Sequence, residues 1–538
     1  MCFSGIERSW ARRESACTTH WSSFMTRRFP VLHSVSVRAV PLLVAAALIS
    51  STGTAAAAPL TGIGDPNFPN IGSAAYDVSN YSIDLKFDPS SGRLSGSTTI
   101  TAKAKQDLKA GSAIGFDFLL QTQSVLINNK AAKYTLGKDK LAVTLPANLA
   151  VGAEFTTVVA YNDIPSRVAN AAGARNWVEN PNGALISNEP FSAEWWYPSN
   201  DHPTDKATYA VSVLAPENMD VLSNGVETTV TQNIPGWKRH NWLSKNPQMT
   251  YATYLAIGKY ERGGQGAGTP ARPNLTAYAT DLDPTVRANA KASIERTPEI
   301  VDWLASQLTP YPFESTGGVV DAKMGGFALE TQTMPTYTDG FFKRGKNDSV
   351  VVHENAHQWF GDSTSVATWK DGWLNEGFAS YMEYLWSEKN GTGTAAEIAD
   401  YAYATSTRIN WDVVLTDPGP ANVLPAELYS RGALAIQAFR SAIGDDDVFY
   451  RMLREWLTKY QFGNAKVADF IEMANAVTGR STNALFKTWL TDKGKPAYKP
   501  SDATFDGGKR GGAPRSAVPA PPKPKAWDDL YSVVTAKQ

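Results

Sequence analysis

VVHENAHQWFGD, residues 351–362, sets two histidines four residues apart with a glutamate beside the first. An ordinary buried helix gains nothing from two imidazoles and a carboxylate at such close spacing. Asn347, Asp348 or Ser349 can cap a helix running through VVVHENAHQWF, and Gly361 can stop it. Residues four apart share a helix face, so His353 and His357 project together at a spacing that lets two imidazoles meet one metal ion. Glu354, beside the first of them, can reach a water on that ion. Zinc suits two histidine ligands, and a catalytic zinc takes a third ligand from the protein and leaves its fourth position to water.

The third ligand should be a His, Asp or Glu from another element. TWKDGWLNEGFASYMEYLWSEKN supplies one, because Trp373, Phe378, Met382, Leu385 and Trp386 mark an apolar helical face that also carries Glu376. Eighteen residues separate His357 from Glu376. A helix, a turn and an antiparallel second helix would return Glu376 to the histidine pair. A lone H-E-x-x-H can arise by chance on a surface helix; the spaced glutamate makes this one a zinc site. His202 and His240 lack such partners in sequence and are read as solvated or hydrogen-bonded structural residues. Trp359, Phe360 and Trp386 are read as core.

The chain around this motif has 538 residues, which suits two or three domains better than one core. Hydrophobic residues at 43% and charged residues at 19% describe a globular protein. A formal charge of −1 gives no reason to expect a nucleic-acid partner. From Met25, arginines 27, 28 and 38 precede an apolar run from Ala39 to Ile49 and then small residues through Ala58. That order is a secretory signal peptide, too short in its apolar run to span a bilayer, so residues 1–58 are a leader, Met25 is a candidate start and the mature protein is expected outside the cell. Arg27 and Arg28 would also suit twin-arginine export. Six arginines and two glutamates leave with the leader, taking the formal charge from −1 to −5, and both cysteines, Cys2 and Cys17, go too. A mature chain of this length needs no disulfide. A monomer is the default expectation.

YDVSNYSIDLKFDPSSGRLSGSTTITAKA alternates Tyr81, Ile83, Leu85 and Phe87 with polar residues, turns, and alternates again. AIGFDFLL, KLAVTLP, EFTTVVAYN, ATYAVSVLAP and TYLAIGKYE repeat the pattern, so residues 65–262 read as an all-β domain. Helical spacing takes over near residue 283, in DPTVRANAKASIERTPEIVDWLASQL, and lasts to about 493, giving a mainly α-helical domain over 263–497. Residues 498–538, rich in Pro, Gly and Lys, read as a flexible tail.

HENAHQWFGD followed by WLNEGFASYMEY resembles the two zinc helices of the aminopeptidase N family of gluzincin peptidases, which also includes leukotriene hydrolase. GGFALET sits where that family carries its G-A-M-E-N exopeptidase motif, with Glu330 on the glutamate; Phe327, Leu329 and Thr331 stand for the glycine, methionine and asparagine. Tyr197, Pro198, Asp201, Pro203, Lys206 and Ala207 align with its F-P-C-x-D-x-P-x-x-K-A signature, and counting back from Pro198 puts Glu189 on the second amine-binding position. LYSRGALAIQAF resembles the segment of the catalytic tyrosine, Tyr429 here. The resemblance covers residues 70–497. It implies a multidomain α+β protein: an N-terminal all-β domain with a saddle-like sheet, then a thermolysin-like zinc peptidase domain. The resemblance stops short of the further domains that larger members carry, and so the chain is expected to be a minimal two-domain member with a more open cleft.

The same resemblance implies a zinc aminopeptidase holding one Zn2+ on His353, His357 and Glu376 and acting on peptides with a free N-terminus. Water on the zinc attacks the N-terminal peptide bond with Glu354 as general base, Tyr429 donates to the oxyanion, and Glu330 with Glu189 receives the α-ammonium. A secreted zinc endoprotease would share the metal chemistry without using Glu330 or Glu189. A non-catalytic binding module would usually have lost a ligand or the base, and this chain keeps them all. Nothing in the sequence selects an epoxide hydrolase.

Overall fold

Alternation in the first strand is what builds the first sheet. Tyr81, Ile83, Leu85 and Phe87 point to one face of strand Tyr76–Asp88 and are at most 1% exposed, while the residues between them meet solvent. The computed structural model describes residues 62–530 apart from 181, 265–267, 408 and 509–520, so the expected leader and its cysteines lie outside the described residues. Tyr76–Asp88 pairs antiparallel with Arg93–Ala104 and parallel with Ala207–Pro216. These three lie inside an eight-stranded sheet whose order runs Val226–Ile234, Trp237–Gln248, Ala207–Pro216, Tyr76–Asp88, Arg93–Ala104, Glu154–Asp163, Thr122–Ile127, Lys130–Ala131. A three-stranded sheet centred on Lys140–Thr144 and a four-stranded sheet containing Gly183–Ile186 and Leu255–Gly258 complete the β domain.

Sheet membership changes within two residues. Leu255–Gly258 belongs to the β domain, but Tyr260–Gly263 pairs with Asn274–Ala279 at one edge of a five-stranded sheet that ends in the short strands Thr336–Tyr337 and Ala328–Leu329. Helices follow: α1 (Pro284–Ile294), α2 (Thr297–Gln307), α3 (Asp348–Ala356), α4 (Trp373–Lys389), α5 (Ala395–Thr405), α6 (Ala426–Ile443), α7 (Asp446–Lys459), α8 (Val467–Thr478) and α9 (Asn483–Phe486). The N-terminal β domain followed by a mainly helical one is the expected fold class. Asp283 caps α1 by accepting the amides of Thr285 and Val286 at 2.8 and 3.1 Å, and Pro298 opens α2, where its missing N–H costs nothing. α4 is buried along its length from Trp373 to Ser387, so its polar residues there face protein rather than water.

Two expectations need correction. Residues 498–508 and 521–530 are packed where a flexible tail was expected: Tyr498, Ala503, Phe505 and Leu530 are buried. Trp527 stands edge-on to Tyr401 at 4.9 Å, and the Ala526 amide donates to the Thr392 carbonyl at 3.2 Å. Apolar side chains spaced among the prolines and lysines drive this docking, and a compositional reading averages them away. The Ala526 contact lies just beyond the C-terminal end of α4, whose residues from Glu376 to Lys389 span about 20 Å of helix. The second correction is the end of α3, at Ala356 rather than at Gly361. Among the described residues, no helix is long and apolar enough to cross a membrane.

Candidate active site

α3 is short and wholly internal. Asn347 caps it, accepting the Val350 amide at 3.2 Å, and Val350, Val351 and Val352 anchor it in the core. After Ala356 the backbone bonds widen, with the amides of Asp362, Ser363 and Thr364 reaching carbonyls five residues back, on His357, Gln358 and Trp359, at 2.9, 3.2 and 3.1 Å. Lys206, from the β domain, secures this wide turn by donating to the carbonyls of Asp362, Ser363 and Gly463 at 2.9, 2.8 and 3.2 Å. The expected turn from His357 to α4 contains a short strand, Ser365–Val366, paired with Asn464–Ala465, and a 3₁₀ turn at Trp369–Asp371.

His353 and His357 keep their shared face, with ring centroids 4.8 Å apart and Nε2 atoms 3.2 Å apart. Glu376, in the first turn of α4, brings Oε2 to 3.4 Å from each Nε2. All three side chains are fully buried. The other ring nitrogens are engaged: His357 Nδ1 donates to the Phe360 carbonyl at 2.9 Å, and His353 Nδ1 pairs with Glu383 Oε1 at 2.8 Å. With a proton on each Nδ1, both Nε2 lone pairs and one carboxylate oxygen converge, all within 4.8 Å of one another. Two imidazoles and a carboxylate in a dry pocket are the donor set of a catalytic zinc site, so the residues present fit the ion. Electrostatics agrees. Burial alone would lower the His357 pKa, yet Glu330, Glu376 and Glu354 outweigh it and push it up to about 10, so the pocket favours a positive charge at this position.

Glu354 is fully buried, with a carboxylate oxygen within 4.8 Å of both His357 and Glu330 ligand atoms. Tyr429, in the first turn of α6, lays its ring along that of His353, centroids 5.8 Å apart and planes 16° apart. It reaches so close because α4 and α6 touch through glycines. A Cβ built on Gly432 would stand 3.1 Å from Gly377 Cα and 2.8 Å from the Trp373 ring. Arg431 pins the same stretch of α6 by donating to the carbonyls of Trp411, Val413, Thr488 and Asp492.

Glu330 follows strand Ala328–Leu329 and is fully buried; Oε1 accepts the Tyr251 hydroxyl at 3.0 Å, and its backbone carbonyl accepts Gln358 Nε2 at 3.1 Å. Glu189 is half-buried on the β-domain side. Burial first, then the charges of Glu330, Glu189 and Asp362, raise the Tyr251 phenol well above its usual range, so it stays a donor. The structure thus gathers His353, His357, Glu376, Glu354, Tyr429 and Glu330 closely, with Glu189 near enough to Tyr251 for its charge to help raise that phenol.

Sequence reasoning missed Glu383, Tyr251 and Asp362. Glu383 was detectable, since it lies two helical turns after Glu376 on the same face of α4. Tyr251 sits in a loop and carries no local signal. Asp362 is fully buried, and burial, then repulsion from Glu330, pushes its pKa well above the carboxylate range, against the opposing pull of His357 and Lys206. His202 and His240 are buried and hydrogen-bonded, to Asp65 at 3.2 Å and Glu227 at 2.8 Å, which settles their structural reading on its second alternative.

Two family profiles match in succession, the Peptidase M1 N-terminal domain over residues 77–255 and the Peptidase family M1 domain over residues 293–489. The chain is 27% identical to glutamyl aminopeptidase of Mus musculus over 58% of its own length and 35% of that protein's. It is 26% identical to aminopeptidase N of Streptomyces lividans over 61% of its own length and 40% of that protein's. It therefore spans about a third to two fifths of the length of these curated relatives. Among solved structures, the M1 zinc metallopeptidase of Deinococcus radiodurans superposes with a TM-score of 0.71 at 27% identity, over 81% of this chain and 98% of the other. A two-domain M1 zinc metallopeptidase bound to L-arginine gives a TM-score of 0.72 at 27% identity, over 81% and 99%. Both halves of the architecture, and a donor set that fits the metal named in those structures, lead to one conclusion: the chain belongs to the M1 peptidase family, that of aminopeptidase N, whose cofactor is zinc.

Proposed function

We propose that this protein is an exported zinc aminopeptidase that hydrolyses the N-terminal bond of peptides. The observation that carries the reading is the meeting, in one buried pocket, of the zinc donor set with Glu354, Tyr429 and a Glu330 carboxylate oriented by Tyr251. Export rests on the basic, apolar and small-residue order of residues 25–58.

His353, His357 and Glu376 would hold the ion, which when bound supplies Lewis acidity that polarises a carbonyl and acidifies water. Glu354 takes the proton from the attacking water and returns it to the leaving amine; buried beside His357, it holds that proton away from bulk solvent. Tyr429, fixed against His353, donates its phenolic hydrogen to the oxygen that gains charge as the carbonyl is attacked. Such a donor is worth roughly 3–4 kcal/mol in the transition state. Glu330 and Glu189 receive the substrate's α-ammonium and so place the first peptide bond, rather than a later one, beside Glu354. An acylated N-terminus would leave the buried Glu330 carboxylate without a cation, and that cost is what makes the enzyme an exopeptidase.

The test is hydrolysis of free-amine aminoacyl arylamides beside their N-acetylated counterparts, before chelation, after it, and after zinc is restored. Zinc-dependent cleavage of the free amines alone is the expected result. Cleavage of the acetylated set would make the protein an endoprotease and remove the ammonium role from Glu330 and Glu189.

A further inference from the structure

The loop from Gly62 to Ala74 lies ahead of the first residue matched by the N-terminal family profile, and no residue assigned to the site above belongs to it. It closes on itself: Gly62 and Ile63 donate to the carbonyls of Gly72 and Ile71 at 2.9 Å each, and Ala74 donates to the Gly62 carbonyl at 3.2 Å. Asp65 fastens it from within. Its buried carboxylate accepts the amides of Asn67 and Phe68 on Oδ1, at 2.8 and 3.0 Å, and the amide of Trp369 on Oδ2, at 2.9 Å. His202 Nε2 reaches the same Oδ2 at 3.2 Å. The Thr204 amide donates to His202 Nδ1 at 3.2 Å, which puts the imidazole proton on Nε2 and makes His202 a donor to Asp65.

These bonds fix the ring of Phe68. It stands edge-on to Phe191 at 4.8 Å and to Trp369 at 6.2 Å, and with Ile71 it covers a small cluster of Met249, Tyr251, Ala252 and Trp369. Each neighbour leads to the candidate active site. Phe191 lies two residues after Glu189. Tyr251 packs on Trp369 at 5.4 Å and holds Glu330 through its hydroxyl at 3.0 Å. Trp369 belongs to the turn just before α4. One ring therefore lies between the segment that carries Glu189 and the cluster of Trp369 and Tyr251 whose phenol holds Glu330.

We propose that Phe68 is a positioning residue for the ammonium site: through Phe191 and Tyr251 it holds Glu189 and Glu330 at the separation that a single α-ammonium bridges. The proposal rests on the aminopeptidase reading given above. The groups that act on the carbonyl and the water are secured elsewhere, His353 by Glu383 and Tyr429 by the contact of α4 with α6. Loss of Phe68 therefore weakens substrate binding and leaves turnover nearly intact, the signature of an interaction made equally in the ground and transition states.

The experiment compares the wild-type protein with Phe68→Ala, Phe68→Leu and Asp65→Asn, measuring kcat, KM, zinc content and melting temperature on a free-amine arylamide and its N-acetyl counterpart. The expected result for Phe68→Ala is a KM raised about tenfold, kcat within about threefold and unchanged zinc content. Phe68→Leu, which keeps apolar volume, should recover part of that loss, and Asp65→Asn should raise KM in the same direction. A folded, zinc-loaded Phe68→Ala with wild-type KM would overturn the proposal, as would a fall in kcat that tracks lost zinc. If Phe68→Ala does not fold, Phe68→Leu and Asp65→Asn decide by the same criteria. Wild-type cleavage of the acetylated substrate would sink the aminopeptidase reading and this proposal together, whereas wild-type discrimination with unaltered KM in the folded variants sinks this proposal alone.

Discussion

Three buried glutamates on α3 and α4 share a side chain and differ in task because of where the helices aim them. Glu376 turns an oxygen to both imidazoles, Glu383 orients His353 from behind, and Glu354 carries its carboxylate between His357 and Glu330. Removing each should therefore fail differently. Glu354→Gln keeps the shape but cannot accept a proton, so kcat should fall by about 10²–10⁴ with zinc content unchanged. Glu383→Gln leaves the proton transfer in place and loosens His353, so zinc affinity should fall by about 10–100-fold while activity at saturating zinc largely returns. A zinc titration read by both bound metal and turnover separates the two; equal behaviour of the variants would contradict the assignment. His353, His357, Glu376 and Glu354 were legible as candidate residues because their spacing is local. Tyr251 and Asp362 were not, because their roles exist only across contacts distant in sequence.

Among the elements, the crossing of α4 and α6 decides whether Tyr429 faces His353. Gly377 and Gly432 let the helices touch, and the indole of Trp373 closes the gap by donating to the Gly432 carbonyl at 3.2 Å. A methyl at Gly432 meets α4 backbone and an immobile indole, so α6 must move outward. Gly432→Ala should destabilise the fold by about 1–3 kcal/mol through overpacking and lower kcat more than tenfold as Tyr429 recedes. Denaturant unfolding together with steady-state kinetics checks it, and wild-type kcat in the folded variant would show that helix separation does not set the position of Tyr429. The alternation of strands and a cap for α3 could be read from sequence, since both depend on neighbours in the chain. The end of α3 could not. Its last turn is opened by bonds from residues 362–364 and held by Lys206, some 150 residues earlier in the chain.

For the whole molecule, Asp65 is one of the groups that tie the β domain to the helical domain, through the Trp369 amide at 2.9 Å. Four hydrogen bonds to its carboxylate outweigh burial and hold its pKa below the ordinary value of 3.8. A carboxyl whose pKa is depressed by folding contributes stability above its unfolded pKa and loses it as pH falls through the folded one. Wild type should therefore exceed Asp65→Asn in stability at neutral pH, with the margin closing only below about pH 4. Urea midpoints of the two proteins from pH 7 to pH 3 test this, and a constant margin across that range would show that the charge of Asp65 contributes nothing to that tie.

The sequence alone determined the two-domain order, the histidine pair and the spaced glutamate, because strand alternation, helix periodicity and ligand-type spacing are short-range regularities that a linear pattern records. Only the tertiary structure decided which hydroxyl faces His353, which phenol holds Glu330, and that the loop around Phe68 underlies the site. Those depend on helix separation and on contacts between segments far apart in the chain, which are set when the buried faces pack together.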